Sequence, residues 1–111
     1  MKINSSLQKV FSELPESFSS TNIPDIQITG ISIDSRTVKS GDLFVAMQGG
    51  TVDAHNYIQK AIDNGAVAIV GEKDLSGFNI PYIRLESTRH ALTWIAGSFY
   101  NQPGHSLTVL L

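Results

Sequence analysis

Residues 43–70 read LFVAMQGGTVDAHNYIQKAIDNGAVAIV and carry the pattern of one strand–helix–strand unit. Residues 43–47 are apolar on both alternating faces, which is typical of a strand that is covered on both sides. Asp53 is a favourable N-cap, and residues 54–64 then place apolar side chains at helical spacing. Because residues 66–70 repeat the buried-strand pattern, we expect two parallel strands joined by a right-handed crossover.

The segment before this unit predicts a strand whose two halves point their side chains in different directions. Ile26 and Ile28 share one face, whereas Ile31 and Ile33 share the other. Gly30 lies at the change of phase, where a bulge or a break is expected.

The remaining periodic segments complete the expected fold. Apolar side chains recur at helical spacing over residues 7–14 and 88–99, and residues 81–85 predict another buried strand. Gly65 suits the position just past the helix of the central unit. Residues 107–111 are an apolar strand that either pairs within this domain or begins a second one. We therefore predict an α/β fold, with a small mixed sheet of about four to five strands flanked by about three helices.

Composition excludes several classes of function. The net charge is −2 and no basic run occurs, so nucleic-acid binding has little support. No apolar stretch approaches the roughly 18 residues of a membrane span, and no signal peptide is recognisable, which favours a cytoplasmic protein. Cysteine is absent, and the three histidines lack metal-ligand spacing, so we expect them on the surface or on helix faces. No catalytic residue and no metal site is predicted.

A glycine-containing loop is the first candidate binding feature. Gly49, Gly50, Thr51 and Val52 lead into the N-terminus of the central helix, where unpaired backbone N–H groups suit a phosphate. The loop lacks the P-loop pattern, and glycine there also fits an ordinary strand–helix connection. If Asp53 caps the helix, a phosphate would lie beside the loop rather than on the helix axis.

The tip of the preceding strand is the second candidate. Ser35 follows Ile33 on one face and could bond a ligand oxygen past the strand end, while Asp34 and Arg36 could pair on the other face. A surface ion pair with Ser35 capping a turn is the alternative. Trp94 could stack on a base, but its position beside an apolar stripe favours packing in or near the core.

Four motifs in register then resemble one family. They are Ile33–Arg36, Gly41–Ala46, Asp53–Ile58 and Gly65–Val70, and their order and spacing are similar to the N-terminal domain shared by the MurE and MurF ligases of peptidoglycan synthesis. Residues 98–103, SFYNQP, followed by an apolar strand, look like the MurE segment that runs into the ATP-binding loop. Ala54 departs from the glycine that is frequent there, and residues 1–25 carry no matching motif.

The resemblance implies a function for this chain. Residues 1–104 would bind the UDP moiety of UDP-N-acetylmuramoyl-L-Ala-D-Glu, and residues 105–111 would be the first strand of a truncated ATP-binding central domain. The family residues that contact UDP correspond to Ile33, Ser35, Gly50, Thr51 and Val52. The intact ligase would use ATP and magnesium to add meso-diaminopimelate or L-lysine, with its central and C-terminal domains as partners. A MurF-type domain, or a non-enzymatic α/β interaction domain, is the alternative.

Overall fold

The computed structural model of the chain describes residues 5–15, 23–49 and 52–100. Eight short strands, three α-helices and one 3-10 turn follow one another within these residues. In chain order they are β1 (Ser5–Ser6), α1 (Leu7–Ser12), β2 (Gln27–Ile28), β3 (Gly30–Ser32), β4 (Asp42–Val45), β5 (Gln48–Gly49), β6 (Val52–Asp53), the 3-10 turn (Ala54–Tyr57), α2 (Ile58–Asp63), β7 (Ala68–Gly71), β8 (Tyr82–Arg84) and α3 (Thr88–Tyr100).

The main sheet is parallel and has the strand order β3-β4-β7-β8. Leu43 lies opposite Ala68 and Val45 opposite Val70, so the parallel strand–helix–strand unit predicted over residues 43–70 is confirmed. The small α/β fold with three helices is confirmed as well. Antiparallel pairing is confined to two separate two-residue ladders, β1 with β2 and β5 with β6.

The predicted change of phase at Gly30 separates two sheets. β2 pairs antiparallel with β1, whereas β3 pairs parallel with β4. A Cβ atom on Gly30 would lie 2.6 Å from the Asp42 carboxylate, which explains the glycine. β3 ends at Ser32, earlier than predicted, because the Ser32 hydroxyl donates to the Asp34 carbonyl at 3.0 Å and folds the chain into a turn.

Side chains of the parallel strands alternate between two cores, one on each face of the sheet. Leu43 and Val45 point into the larger core, which also takes buried side chains from α1 and α3. Phe44 points into the smaller core, against α2. On the larger side, the Ser98 hydroxyl of α3 donates to the Val10 carbonyl of α1 at 3.0 Å, so the two helices are also joined by a buried hydrogen bond.

The helix ends follow the expected chemistry in part. Gly65 takes φ +119°, and its N–H donates to the Ile62 carbonyl at 3.0 Å, which confirms the predicted position just past α2. Ser87 caps α3 by accepting from the His90 N–H at 3.3 Å. Ser6 occupies the N-cap position of α1, but its hydroxyl donates to Asp25 at 2.7 Å instead.

The packing predicted for Trp94 is wrong. This side chain is 49% exposed on α3, because the buried stripe of the helix runs through Ala91, Ile95 and Phe99 instead. The strand predicted at residues 107–111 lies outside the described residues.

Candidate functional site

A cavity of about 520 Å³ lies beside the end of β3, within the size range of small-molecule sites. Three segments form it: the turn after β3, the buried strand β4, and the 3-10 turn running into α2. The lining residues are Ile33, Asp34, Ser35, Arg36, Phe44, Ala54, Tyr57 and Lys60. The position past the end of a parallel strand is where open α/β sheets bind their ligands.

Ser35 offers the cavity an uncommitted hydroxyl. The residue is buried in the turn that follows β3, and its carbonyl accepts a hydrogen bond from the Asn64 amide at 2.8 Å. That bond ties the turn to the end of α2. Because the hydroxyl bonds to none of the described residues, it is free to bond a ligand.

Asp34 and Arg36 form the predicted ion pair on the rim of the cavity. The Asp34 carboxylate accepts from the Arg36 Nε at 3.0 Å, the Nη2 at 2.8 Å and the backbone N–H at 2.9 Å. The guanidinium hydrogen bonds, followed by the backbone N–H, lower the pKa of Asp34 to about 2. Since the guanidinium is mostly exposed, the pair shapes the rim more than it stabilises the fold.

Two unusually exposed apolar side chains face the cavity. Ile33 is 51% exposed and Tyr57 is 47% exposed, and the fully buried Phe44 closes the space between their segments. Lys60, in the first turn of α2, has no ion-pair partner among the described residues. The cavity thus combines apolar surface for a flat ring with a free hydroxyl and an ammonium group for oxygen atoms.

The predicted glycine loop is a hairpin base in the structure. Gly49 pairs with Val52 in the antiparallel ladder of β5 and β6, where the sequence predicted a loop. Gly50 and Thr51 lie outside the described residues. Ala54 follows β6 directly and lines the cavity, so the hairpin enters the turn that borders Ile33 and Ser35. That the five predicted residues, Ile33, Ser35, Gly50, Thr51 and Val52, form one UDP-binding site stays a prediction.

His55 is buried, although the sequence predicted that the histidines lie on the surface or on helix faces. Its Nδ1 lies 2.6 Å from the Asp53 carboxylate, and its Nε2 accepts from the backbone N–H groups of Glu72 at 2.9 Å and Lys73 at 3.4 Å. Asp53 also pairs with the Lys73 ammonium and caps the turn by accepting from the His55 N–H at 3.0 Å. The Lys73 hydrogen bond, then the His55 N–H, hold the pKa of Asp53 well below its usual range. No spacing rule pairs His55 with residues 72–73, so only the fold reveals this cluster.

Two kinds of feature are missing from the part of the chain that the structure describes. No three histidine, cysteine or carboxylate side chains converge there as metal ligands. None of the described helices has both the length and the apolar character needed to cross a bilayer.

Comparison with known proteins identifies relatives of this chain. The model of the Mur ligase family, catalytic domain, matches residues 27–100. The UDP-N-acetylmuramoyl-L-alanyl-D-glutamate–2,6-diaminopimelate ligase of Bacillus velezensis is 44% identical over 86 residues, which cover 78% of this chain and 17% of the relative. The Haemophilus influenzae enzyme of the same name is 37% identical over 94 residues. The chain thus spans less than a fifth of the length of the curated relatives it matches.

Solved structures share the fold. A crystal structure of MurF from Acinetobacter baumannii superposes with a TM-score of 0.70 at 26% identity, over 88% of this chain and 21% of that one. The MurF ligase of Thermotoga maritima in complex with ADP superposes with a TM-score of 0.54 at 33% identity, over 60% of this chain.

Proposed function

This chain belongs to the Mur ligase family, and we propose that it is the UDP-binding N-terminal domain of a MurE-type ligase. Relatives at 37–44% identity carry the diaminopimelate-adding name, which supports this type and favours diaminopimelate over lysine as the added amino acid. The structural resemblance to MurF keeps a MurF-type domain as the second candidate. The reaction that we propose for the intact ligase is a cytoplasmic step of peptidoglycan precursor synthesis.

The cavity beside β3 is the observation that carries this proposal. A uridine diphosphate presents a flat ring, ribose hydroxyls and two anionic phosphates. Ile33 and Tyr57 give the ring apolar surface, and the free Ser35 hydroxyl donates to a ribose or phosphate oxygen. Lys60 supplies a cation that can reach the diphosphate side of the cavity. From the resemblance of the sequence to the family, we also assign Gly50, Thr51 and Val52 to the nucleotide.

The role of this domain is to position a substrate rather than to transform it. UDP is distant from the carboxylate that reacts, so its binding raises affinity and fixes orientation without directly lowering the chemical barrier. The sequence resemblance implies that the intact ligase uses ATP and magnesium, and this chain has no P-loop motif to hold the ATP phosphates. We assign them to the central domain, with residues 1–104 as the UDP-binding domain and residues 105–111 as the first central strand.

Calorimetric titration with UDP-N-acetylmuramoyl-L-Ala-D-Glu tests the proposal. A hydrogen bond to a charged acceptor contributes roughly 1.5–3 kcal/mol, so Ser35→Ala is expected to weaken binding about tenfold to a hundredfold. Its melting temperature should stay near that of the wild type, because the hydroxyl bonds to none of the described residues.

Ser76→Ala is the matched control, since Ser76 is exposed and does not line the cavity. UDP alone should compete with the full substrate. Absence of binding by the wild type would contradict the proposed function. Equal affinity of Ser35→Ala and wild type would show that Ser35 does not bind the substrate. Tighter binding of the UDP-tripeptide than of the UDP-dipeptide would favour the MurF type.

A further inference from the structure

We propose that His55 is a positioning residue, which holds the hairpin of β5 and β6 in place as a neutral imidazole with its proton on Nδ1. The effect on nucleotide binding rests on the proposed function, because Gly50, Thr51 and Val52 are the hairpin residues assigned to the nucleotide. The anchoring itself does not depend on that function.

The hydrogen bonds of the ring fix its protonation. Only 2% of the His55 side chain is exposed, and both ring nitrogens have partners. A backbone N–H can only donate, so the Nε2 atom that faces Glu72 N–H at 2.9 Å must accept. The single proton of the neutral ring therefore lies on Nδ1 and is donated to Asp53, 2.6 Å away, a tautomer assigned from this network.

These bonds join the base of the hairpin to the end of the main sheet. Asp53 is the last residue of β6 and pairs with Gln48 of β5, while Glu72 and Lys73 follow β7 directly. The Lys73 ammonium pairs with the second carboxylate oxygen of Asp53. The His55 imidazole and the Lys73 ammonium therefore both attach the Asp53 carboxylate to the end of β7.

The far side of the anchor is itself held firmly. The Glu72 carbonyl accepts from the Arg84 Nε at 2.9 Å, and its carboxylate accepts from the buried Thr88 hydroxyl at 2.8 Å. Glu72 is thereby tied to β8 and to the first residue of α3. The hairpin is fastened through His55 to a point that three elements of the fold already constrain.

Such an anchor affects binding through the cost of ordering the hairpin. A two-residue ladder is marginal by itself, so a hairpin without its anchor would have to be ordered when the nucleotide binds. The reacting carboxylate of the substrate is far from UDP. Loss of His55 is therefore expected to raise the KM of the intact ligase for the UDP substrate, while its kcat stays nearly constant.

His55→Phe and His55→Gln separate the contributions of the ring. Phenylalanine keeps the bulk but has no acceptor, whereas the glutamine oxygen can take the place of Nε2. We expect His55→Phe to raise KM and the dissociation constant about tenfold, as for one lost hydrogen bond, and to speed amide exchange at Gln48, Gly49, Val52 and Asp53. His55→Gln should recover part of both. His90→Phe is the control, because His90 is exposed on α3.

Nitrogen-15 NMR of the wild type gives a test that needs no variant. A protonated Nδ1 and an unprotonated Nε2 on His55 would support the anchor, and the opposite tautomer or a doubly protonated ring at neutral pH would overturn it. Unchanged exchange and unchanged KM in a folded His55→Phe would overturn it too. Failure of the wild type to bind the nucleotide would count against the proposed function only, because the exchange and NMR measurements still decide the anchoring.

Discussion

At the scale of single residues, Asp34 makes the rim of the cavity sensitive to acid. Its pKa of about 2 lies below the ordinary value of roughly 3.9. A carboxylate with a lowered folded-state pKa stabilises the fold above the unfolded-state value and loses that contribution as pH falls through the folded-state value. Asp34→Asn should therefore differ most from the wild type above about pH 4, and the difference should shrink toward pH 2.

Urea unfolding between pH 2 and pH 6 measures this convergence. Arg36→Gln should show most of the stability loss of Asp34→Asn, because the guanidinium is the largest cause of the lowered pKa of Asp34. The loss should be incomplete, because the backbone N–H of residue 36 remains as a donor. A constant offset between Asp34→Asn and wild type over the whole range would contradict the assignment. The expected effect is small, since the pair is largely exposed.

At the scale of elements, periodicity predicted what depends on local pattern. The apolar runs gave β4 and β7, and the helical spacing gave α1, α2 and α3, because burying these faces is the dominant stabilising term. Contacts between distant segments were beyond that reasoning. The hydroxyl of Ser6 is diverted from its helix by Asp25, and His55, which follows the ladder of β5 and β6, accepts hydrogen bonds from residues 72–73. Trp94 was misplaced because one position along a helix turns a side chain by about 100°.

Three glycines differ in why glycine is needed, either for a left-handed backbone or for lack of space for a Cβ atom. Gly65 has φ +119°, and an added Cβ would lie 2.6 Å from the Ser40 Cα. Gly77 has φ +93° with open space around it, and Gly97 of α3 has neither constraint. A left-handed conformation costs a non-glycine residue roughly 1–2 kcal/mol. We expect Gly77→Ala to destabilise by about that amount and Gly65→Ala by more.

Gly97→Ala should instead stabilise by about 0.5–1 kcal/mol, because alanine loses less backbone entropy in a helix. Chemical denaturation of the three variants measures the order of their unfolding free energies. An equal loss for Gly65→Ala and Gly77→Ala would show that the backbone of Ser40 moves aside at no cost. A loss for Gly97→Ala would indicate that something covers this position of α3.

At the scale of the whole molecule, the sheet separates stabilising packing from the candidate site. The larger core lies between the sheet and the pair α1 and α3, whereas the cavity opens on the face covered by α2. Sequence reasoning found Ile33 and Ser35 at the strand tip but not Tyr57 and Lys60. Those two were assigned only to the helix pattern, and their approach to the strand tip depends on how α2 packs over Phe44.

Substitutions on the two faces should therefore separate stability from binding. Phe44→Leu removes part of the cavity floor, so it should lower both affinity for the UDP substrate and stability, the latter by roughly 0.5–3 kcal/mol. Ile95→Val in the larger core should cost about 0.5–1.5 kcal/mol and leave affinity unchanged. Urea unfolding and calorimetric titration of both variants measure the two quantities. Equal losses of affinity would mean that the faces of the sheet are coupled, because a shift in the larger core would then reach the nucleotide through β4.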